Sequence, residues 1–245
     1  MTLWHEALEP PAGGGAEARP ASGIPAAEAT GAGARLAAVR EWWIRTLLVL
    51  RRPRPVFVAL RNTSRTSLSD RAEPVLAIVI LAGMAWALST PTAGQLMNDE
   101  HYDGVLVAIW AFFVGGVAGF VGYFGIGGVL DQVLKALGSR GTYRRSRHVL
   151  AFAAVPLVVS LLAWPVKLAA FGDDVFRTGG SDAGAGTAVF VVVEVACLAW
   201  AVGLLVVGVR AVHGWTWARA GAAVALAALA CVATVVGIYL ASGRL

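Results

Sequence analysis

The sequence predicts an all-α, polytopic integral membrane protein, with a five-helix transmembrane bundle and an amphipathic helix at the cytoplasmic membrane surface. Hydrophobic residues make up 58% of the 245-residue chain and charged residues 14%, whereas an ordinary soluble domain is about 25% charged. Five apolar runs are each long enough for a membrane helix. The loops between these runs alternate between basic and non-basic, which is typical of a chain that crosses a bilayer repeatedly.

Residues 1–34 are expected to form a disordered cytoplasmic tail. They are rich in Ala, Gly, Pro and Glu, and such a segment buries too little apolar surface to offset its conformational entropy.

Residues 35–72 predict amphipathic helices at the cytoplasmic interface. Trp42 and Trp43 favour headgroup depth because indole rings are amphipathic, and the alternative is a helix that only packs on the protein's cytoplasmic face. Pro53 and Pro55 end this helix, and Pro55 can begin a second, short one. The apolar stripe of the first helix has helical spacing and consists of Leu36, Val39, Trp43, Leu47 and Leu50.

Residues 73–245 predict the membrane domain. No run shows the alternation of a membrane β-strand, so each is expected to be a helix. The predicted spans are approximately residues 74–90, 105–130, 149–171, 187–209 and 217–241.

The charges of the connecting loops predict the orientation. Nine arginines lie between Arg35 and Arg71, before the first span, whereas residues 91–103 hold no arginine and three acids. The loop at 138–148 is basic again, residues 172–186 are mainly acidic, and residues 210–219 are basic. Cytoplasmic loops carry the excess of Lys and Arg. The amino terminus is therefore expected in the cytoplasm and the carboxyl terminus outside, in a plasma membrane.

Glycines in the second run predict a helix-packing surface. Small residues let helix backbones approach closely where lipid removes the hydrophobic driving force, and glycines at steps of three wind around the helix and reach two neighbours. The packing residues predicted in this run are Gly115, Gly116, Gly119, Gly122, Gly125 and Gly128.

Pro156 and Pro165 predict kinks in the third span, because each removes a backbone hydrogen bond from a helix. A kinked helix either lines a cavity or only gives the bundle its shape, and the sequence leaves both readings open.

Two carboxylates are expected at membrane depth. Asp131 lies near the cytoplasmic end of the second span, and Glu194 lies in the outer half of the fourth. A lipid-facing charged carboxylate costs roughly 2.5 kcal/mol or more, so such a residue faces the interior, is protonated, or serves a function.

The basic charge is interpreted as a membrane-topology signal rather than a nucleic-acid surface, because the arginines flank apolar runs. The residues expected to contact anionic headgroups or a partner are Trp42, Trp43, Arg45, Arg51, Arg52, Arg140, Arg144, Arg145 and Arg147. The sequence has no catalytic triad, HExxH or CxxC pattern, so neither an enzyme, a metal nor a cofactor is expected.

The order of these parts resembles the Yip family, five-span membrane proteins known as partners of Rab-type GTPases. Three segments carry the resemblance: PRPVFVAL at Pro53–Leu60, GTYRRSRHVLAFAAVP at Gly141–Pro156, and GVRAVHGWTWARA at Gly208–Ala220. The resemblance implies a cytoplasmic amino terminus and five helices. The Ala, Gly, Val and Arg richness is typical of a high-GC bacterial genome, in which Rab proteins are not expected.

The function expected is that of a non-enzymatic scaffold or adaptor that binds lipid headgroups and a protein partner, or a second copy of itself. The alternative is a small-solute or ion transporter built on Glu194 and the kinked third span. A transporter needs several polar groups along a wet path, and the apolar runs contain few.

Overall fold

The described part of the protein, residues 26–61 and 71–243 of a computed structural model, is helical and contains no strand. Its α-helices are α1 (Ala26–Leu48), α2 (Pro53–Ala59), α3 (Ala72–Leu88), α4 (Gly104–Ala136), α5 (Tyr143–Ala153), α6 (Val155–Ser160), α7 (Ala163–Phe171), α8 (Ala185–His213) and α9 (Trp217–Ala241). Two 3₁₀ helices, Ala93–Asn98 and Gly172–Phe176, follow α3 and α7.

Helix α1 begins earlier than the sequence predicts, at Ala26 rather than at Arg35. The expectation of disorder is therefore wrong for residues 26–34, where a run of alanines with high helix propensity joins the helix. Residues 1–25, 62–70 and 244–245 lie outside the described part of the chain.

Four helical segments of the described chain are long and apolar enough to cross a membrane, judged by length and composition. They are Gly104–Ala136, Tyr143–Phe176, Ala185–His213 and Trp217–Ala241. Helix α3 is apolar but has only 17 residues, or about 26 Å at 1.5 Å per residue, against a hydrocarbon core of about 30 Å.

The long helices close into a ring. Helix α3 packs on α4 and α6, α6 packs on α8, α8 packs on α9, and α9 returns to α4. The main buried cluster lies at the end of the ring where α2, α5 and the carboxyl end of α4 meet, with Phe57, Leu130 and Phe152 each at most 1% exposed. At the end of the ring away from this cluster, the first half of α8 and the second half of α9 leave apolar side chains such as Val192 and Ile238 exposed. Helices surrounded by lipid expose apolar side chains in this way.

The closest approach in the ring joins α3 to α4 through glycine. A Cβ atom on Gly83 would overlap the carbonyl oxygen of Gly115 and crowd the backbone of Gly119, and one on Gly119 would overlap the carbonyl oxygen of Val79. Gly115 likewise faces the backbone of Met84. The two backbones therefore touch directly, and any side chain at these positions would push the helices apart.

The other predicted packing glycines do not share this contact. Space is open around the Cβ positions of Gly116 and Gly125, and Gly122 meets only Ile126 of its own helix. Gly128 would make an ordinary contact with the Tyr143 ring at 3.8 Å. Of the six predicted packing glycines, only Gly115 and Gly119 therefore lie in a tight contact with another helix.

The third apolar run is broken at both prolines. Its helix is interrupted at Ala154, and Pro156 then lies in the first turn of α6, where its missing amide costs no hydrogen bond. A second interruption at Leu161 and Leu162 precedes Pro165, which lies in the first turn of α7. The run is therefore three short helices in sequence.

We expect Gly119→Ala to destabilise the protein and Gly116→Ala to leave it unchanged or stabilise it. Alanine gains about 1 kcal/mol over glycine in a helix interior, but at Gly119 the added methyl group overlaps the backbone of α3. Unfolding temperatures of the two purified variants in mild detergent measure the difference. Equal shifts would show that α3 and α4 do not meet at this glycine.

Candidate functional site

The basic end of the bundle is the face formed by residues 40–61, Arg71, residues 138–147 and residues 210–219. Helices α5 and α9 begin here, with the hydroxyls of Thr142 and Thr216 accepting hydrogen bonds from the amides of Arg145 and Arg219. Such side-chain caps satisfy amides that the first helical turn leaves free. Helix α8 ends here at His213. Gly214 follows it with a φ of 69°, the left-handed conformation that glycine adopts readily.

Two arginines at this end bind backbone carbonyl groups at the carboxyl termini of helices. Arg219 donates a hydrogen bond to the carbonyl of Leu137, which follows α4, and Arg61 donates one to the carbonyl of Ala211 in the last turn of α8. The carbonyl end of a helix carries partial negative charge and is stabilised by a cation. These guanidinium groups therefore join separate helices at the basic end.

Arg147 lies among aromatic rings. Its guanidinium carbon is 4.9, 4.4 and 4.3 Å from the ring centroids of Tyr123, Phe124 and Tyr143, and its stem packs against Gly127. Each such cation–π contact contributes about 0.5–2 kcal/mol, depending on how far it is desolvated. Arg147 thus holds α5 against α4 and is not presented to a ligand.

Arg71 is the largest fully buried side chain of the described chain, at 1% exposure. It lies immediately before α3, with its guanidinium carbon 5.6 Å from the ring centroid of Trp42 in α1. Burial, and then the positive charges of Arg145 and Arg144, lower the Arg71 pKa to about 10. Arg71 consequently remains protonated at neutral pH and links α1 to the start of α3.

The two neighbouring tryptophans of α1 point in different directions. Trp42 is 5% exposed and packs against Phe152, at a ring-centroid distance of 6.0 Å. Trp43 is 37% exposed, on the face that also exposes Leu36 and Leu47. Trp42 therefore packs against the bundle, whereas Trp43 is available to lipid.

The predicted headgroup arginines also fall into two groups. Arg45 is paired with Glu41, Arg145 donates to the carbonyl of Arg61 at 3.2 Å, and Arg147 lies among the rings described above. The others are exposed, and their guanidinium groups make no hydrogen bond or ion pair with a described residue: Arg51, Arg52, Arg140 and Arg144. We call these four the open arginines.

Asp131, predicted at membrane depth, is 3% exposed and satisfied locally. Its carboxylate pairs with Lys135 at 2.7 Å, one turn further along α4, and accepts a hydrogen bond from the Ser146 hydroxyl at 2.9 Å. It therefore joins α4 to α5 at the basic end.

Glu194 lies at the other end of the bundle, which we call the acidic end, formed by residues 89–103 and 172–194. It lines a partly open cavity of about 350 Å³ bordered by the end of α3, by α7, by residues 175–183 and by the first turns of α8. Lys167 and Asp182 also line this cavity and form an ion pair at 3.0 Å. The Glu194 carboxylate makes no hydrogen bond or ion pair with any described residue.

Several of these contacts were missed by sequence reasoning. Gly83 and Arg71 have no motif around them, Arg219 lies in a segment that carries the family resemblance without indicating a contact, and each acts through a partner far away in the chain. The Lys167–Asp182 pair had a usable signal, because the sequence places a cation and an acid at the same end of consecutive spans.

Among the described residues, no group of three or more His, Cys, Asp and Glu side chains is arranged to hold a metal ion. A family model described as the Yip1 domain matches residues 47–239 of the chain. No curated protein and no solved structure matches it.

We expect Arg147→Gln to lower the stability of the protein by about 1–2 kcal/mol, because the amide cannot replace the cation among the three rings. Arg144→Gln is the matched control, since Arg144 is exposed on the same helix and exposed charges contribute little. Detergent unfolding of both variants measures the effect, and an equal change in the two would refute the role of the rings.

Proposed function

Because the chain belongs to the Yip1 domain family, we propose that it is a non-enzymatic membrane scaffold whose basic end binds anionic lipid headgroups and a protein partner. The observation that carries the proposal is the division of the arginines at this end. Some hold helices together, and the four open arginines are exposed without a partner in the described chain. The Yip1 domain is not known as an enzyme family.

Helix α1 supports the headgroup part of the proposal. Its outer face exposes Leu36 at 71%, Trp43 at 37% and Leu47 at 66%, while Trp42 and Thr46 of the same helix are buried against the bundle. A helix with one face on the protein and an apolar face outward fits an interfacial position, with its apolar side chains among the acyl chains. The open arginines Arg51 and Arg52 follow directly, at the level where phosphates lie.

We propose that α3 is a fifth span, placing the basic end in the cytoplasm and the carboxyl terminus outside in a multi-pass plasma-membrane protein. Helix α3 is at the lower limit of span length, and it closes the ring between α4 and α6. The concentration of arginine at one end agrees with the positive-inside rule.

The protein partner is proposed for the same end. The open arginines present positive charge beyond what the fold uses, and such charge attracts an acidic surface as readily as a lipid. A membrane or cytoplasmic protein is the partner we favour, and a second copy of the chain is the alternative.

A transporter is the second candidate, and the cavity at Glu194 is the observation in its favour. Helix α7, which follows the second break in the third apolar run, forms one of its walls. Transport requires a path that continues to the basic end, whereas the residues lining this cavity belong to the acidic half. Solute flux into reconstituted vesicles that Glu194→Gln abolishes would favour the transporter over the scaffold.

We expect replacement of the four open arginines by glutamine to reduce bound phosphatidylglycerol at least about tenfold, since each basic residue near an anionic surface contributes about 1 kcal/mol. Arg177→Gln, which removes an exposed arginine at the acidic end, is the control. Mass spectrometry of the lipid retained by the purified proteins measures the effect. Unchanged retention with an unchanged unfolding temperature would remove the support for headgroup binding.

We expect Arg52→Cys and Glu100→Cys to be labelled from opposite sides of the membrane, in a background where Cys197 and Cys231 are alanine. Among the described residues between these exposed positions, α3 is the one apolar helix longer than seven residues. A membrane-impermeant maleimide should label Glu100→Cys in intact cells and Arg52→Cys only after permeabilisation. Labelling of both from one side would reduce the bundle to four spans.

A further inference from the structure

The cavity at the acidic end carries an inference independent of the scaffold proposal. Its walls come from segments far apart in the chain, with Ser89 and Thr90 after α3, Trp164 in α7, and Phe190 and Glu194 in α8. Phe190 and Glu194 are four residues apart, so both lie on the face of α8 that borders the cavity. A volume of about 350 Å³ is within the range of small-molecule sites.

The residues around the cavity hold one another in place through an ion pair, a hydrogen bond and a stacked pair of rings. The Lys167–Asp182 pair is nearly buried, with side chains 13% and 10% exposed, and the Thr187 hydroxyl donates to the Asp182 backbone carbonyl at 2.8 Å. Trp164 stacks on Phe176 with ring centroids 5.7 Å apart. The cavity is therefore bounded by paired charges and stacked rings.

The two cations and two acids that line the cavity cancel in number, but their pairing leaves one carboxylate over, because Arg177 pairs with an acid outside the lining. Four lining side chains are ionisable. Lys167 and Asp182 neutralise each other, and Arg177, which is exposed, lies 3.8 Å from Asp174. Glu194 is left without an ion-pair or hydrogen-bond partner in the described chain.

The depth of Glu194 makes that unpaired carboxylate significant. Glu194 lies nine positions after Ala185, the first residue of α8, or about 13 Å along the helix axis. In a helix that crosses a bilayer this depth is within the hydrocarbon, where an ionised carboxylate is retained only with compensation. A bound cation supplies that compensation.

We propose that the cavity binds an organic ammonium ion, with Glu194 as its counter-ion and the aromatic wall around its apolar part. A divalent metal ion fits poorly, because Ca²⁺ takes six to eight oxygen ligands and this site offers one unpaired carboxylate. An ammonium group needs only one carboxylate, and the apolar part of the ligand packs beside the Trp164 and Phe190 rings, over which the Lys167 ammonium already lies at 5.0 and 5.6 Å. The ammonium group comes either from a soluble amine or from the headgroup of phosphatidylethanolamine in the adjacent leaflet.

The soluble source is tested by calorimetric titration of the full chain in mild detergent with phenethylammonium chloride. We expect saturable binding at one site, at least tenfold weaker binding in Glu194→Gln, and unchanged binding in Glu100→Gln, which alters an exposed acid outside the cavity. Phenethyl alcohol, the uncharged analogue, should bind wild type at least tenfold more weakly. That comparison tests the charge without any variant.

The lipid source is tested by native mass spectrometry after incubation with mixed vesicles of phosphatidylethanolamine and phosphatidylglycerol. A lipid ligand predicts that Glu194→Gln loses phosphatidylethanolamine and keeps phosphatidylglycerol. Charge-dependent binding at Glu194 in either arm supports the site and identifies its source. Absence of binding in both arms, or equal binding of phenethylammonium and phenethyl alcohol together with unchanged lipid retention in Glu194→Gln, overturns the proposal. Loss of phosphatidylglycerol from the open-arginine variant is a separate result and leaves this one unaffected.

Discussion

The backbone contact between α3 and α4 is the constraint on which the rest of the structure depends. At Gly83, Gly115 and Gly119 no side chain separates the two helices, so α3 has essentially one position along α4. In lipid this kind of packing replaces the hydrophobic effect as the reason for helices to associate. Fixing α3 also fixes Arg71 immediately before it, and Arg71 in turn lies over Trp42 of α1. The position of α1 thus follows from a glycine contact between α3 and α4.

The arginines of the basic end serve two physical purposes that composition cannot separate. Arg61 and Arg219 bind carbonyls at the ends of α8 and α4, and Arg147 lies among three aromatic rings. Their guanidinium groups are engaged in contacts within the fold, whereas Arg51 and Arg140 remain exposed. Positive charge at this end therefore does not measure the capacity for lipid or partner binding, because only the exposed groups can contribute to it.

Helix positions could be predicted from the sequence because hydropathy and length act locally. The last predicted span, 217–241, coincides with α9, and the fourth differs from α8 by a few residues at each end. Contacts between helices could not be predicted equally well. Glycine periodicity identified Gly119 but did not separate it from Gly116, since periodicity locates a face without its partner. Trp42 and Trp43 present the same difficulty, because adjacent residues of identical chemistry are separated only by the direction from which the bundle approaches.

The two intramembrane carboxylates show why the candidate site needed the structure. Both were singled out by one criterion, a charge within an apolar run. Asp131 has Lys135 one turn along its own helix and Ser146 on the next helix, so its desolvation is offset within the fold and it needs no ligand. Glu194 has valines on either side along the chain, and its carboxylate makes no hydrogen bond or ion pair with a described residue of another helix. Because an ionised carboxylate at membrane depth requires compensation, the same criterion leads to a structural role for Asp131 and to the proposed binding role for Glu194.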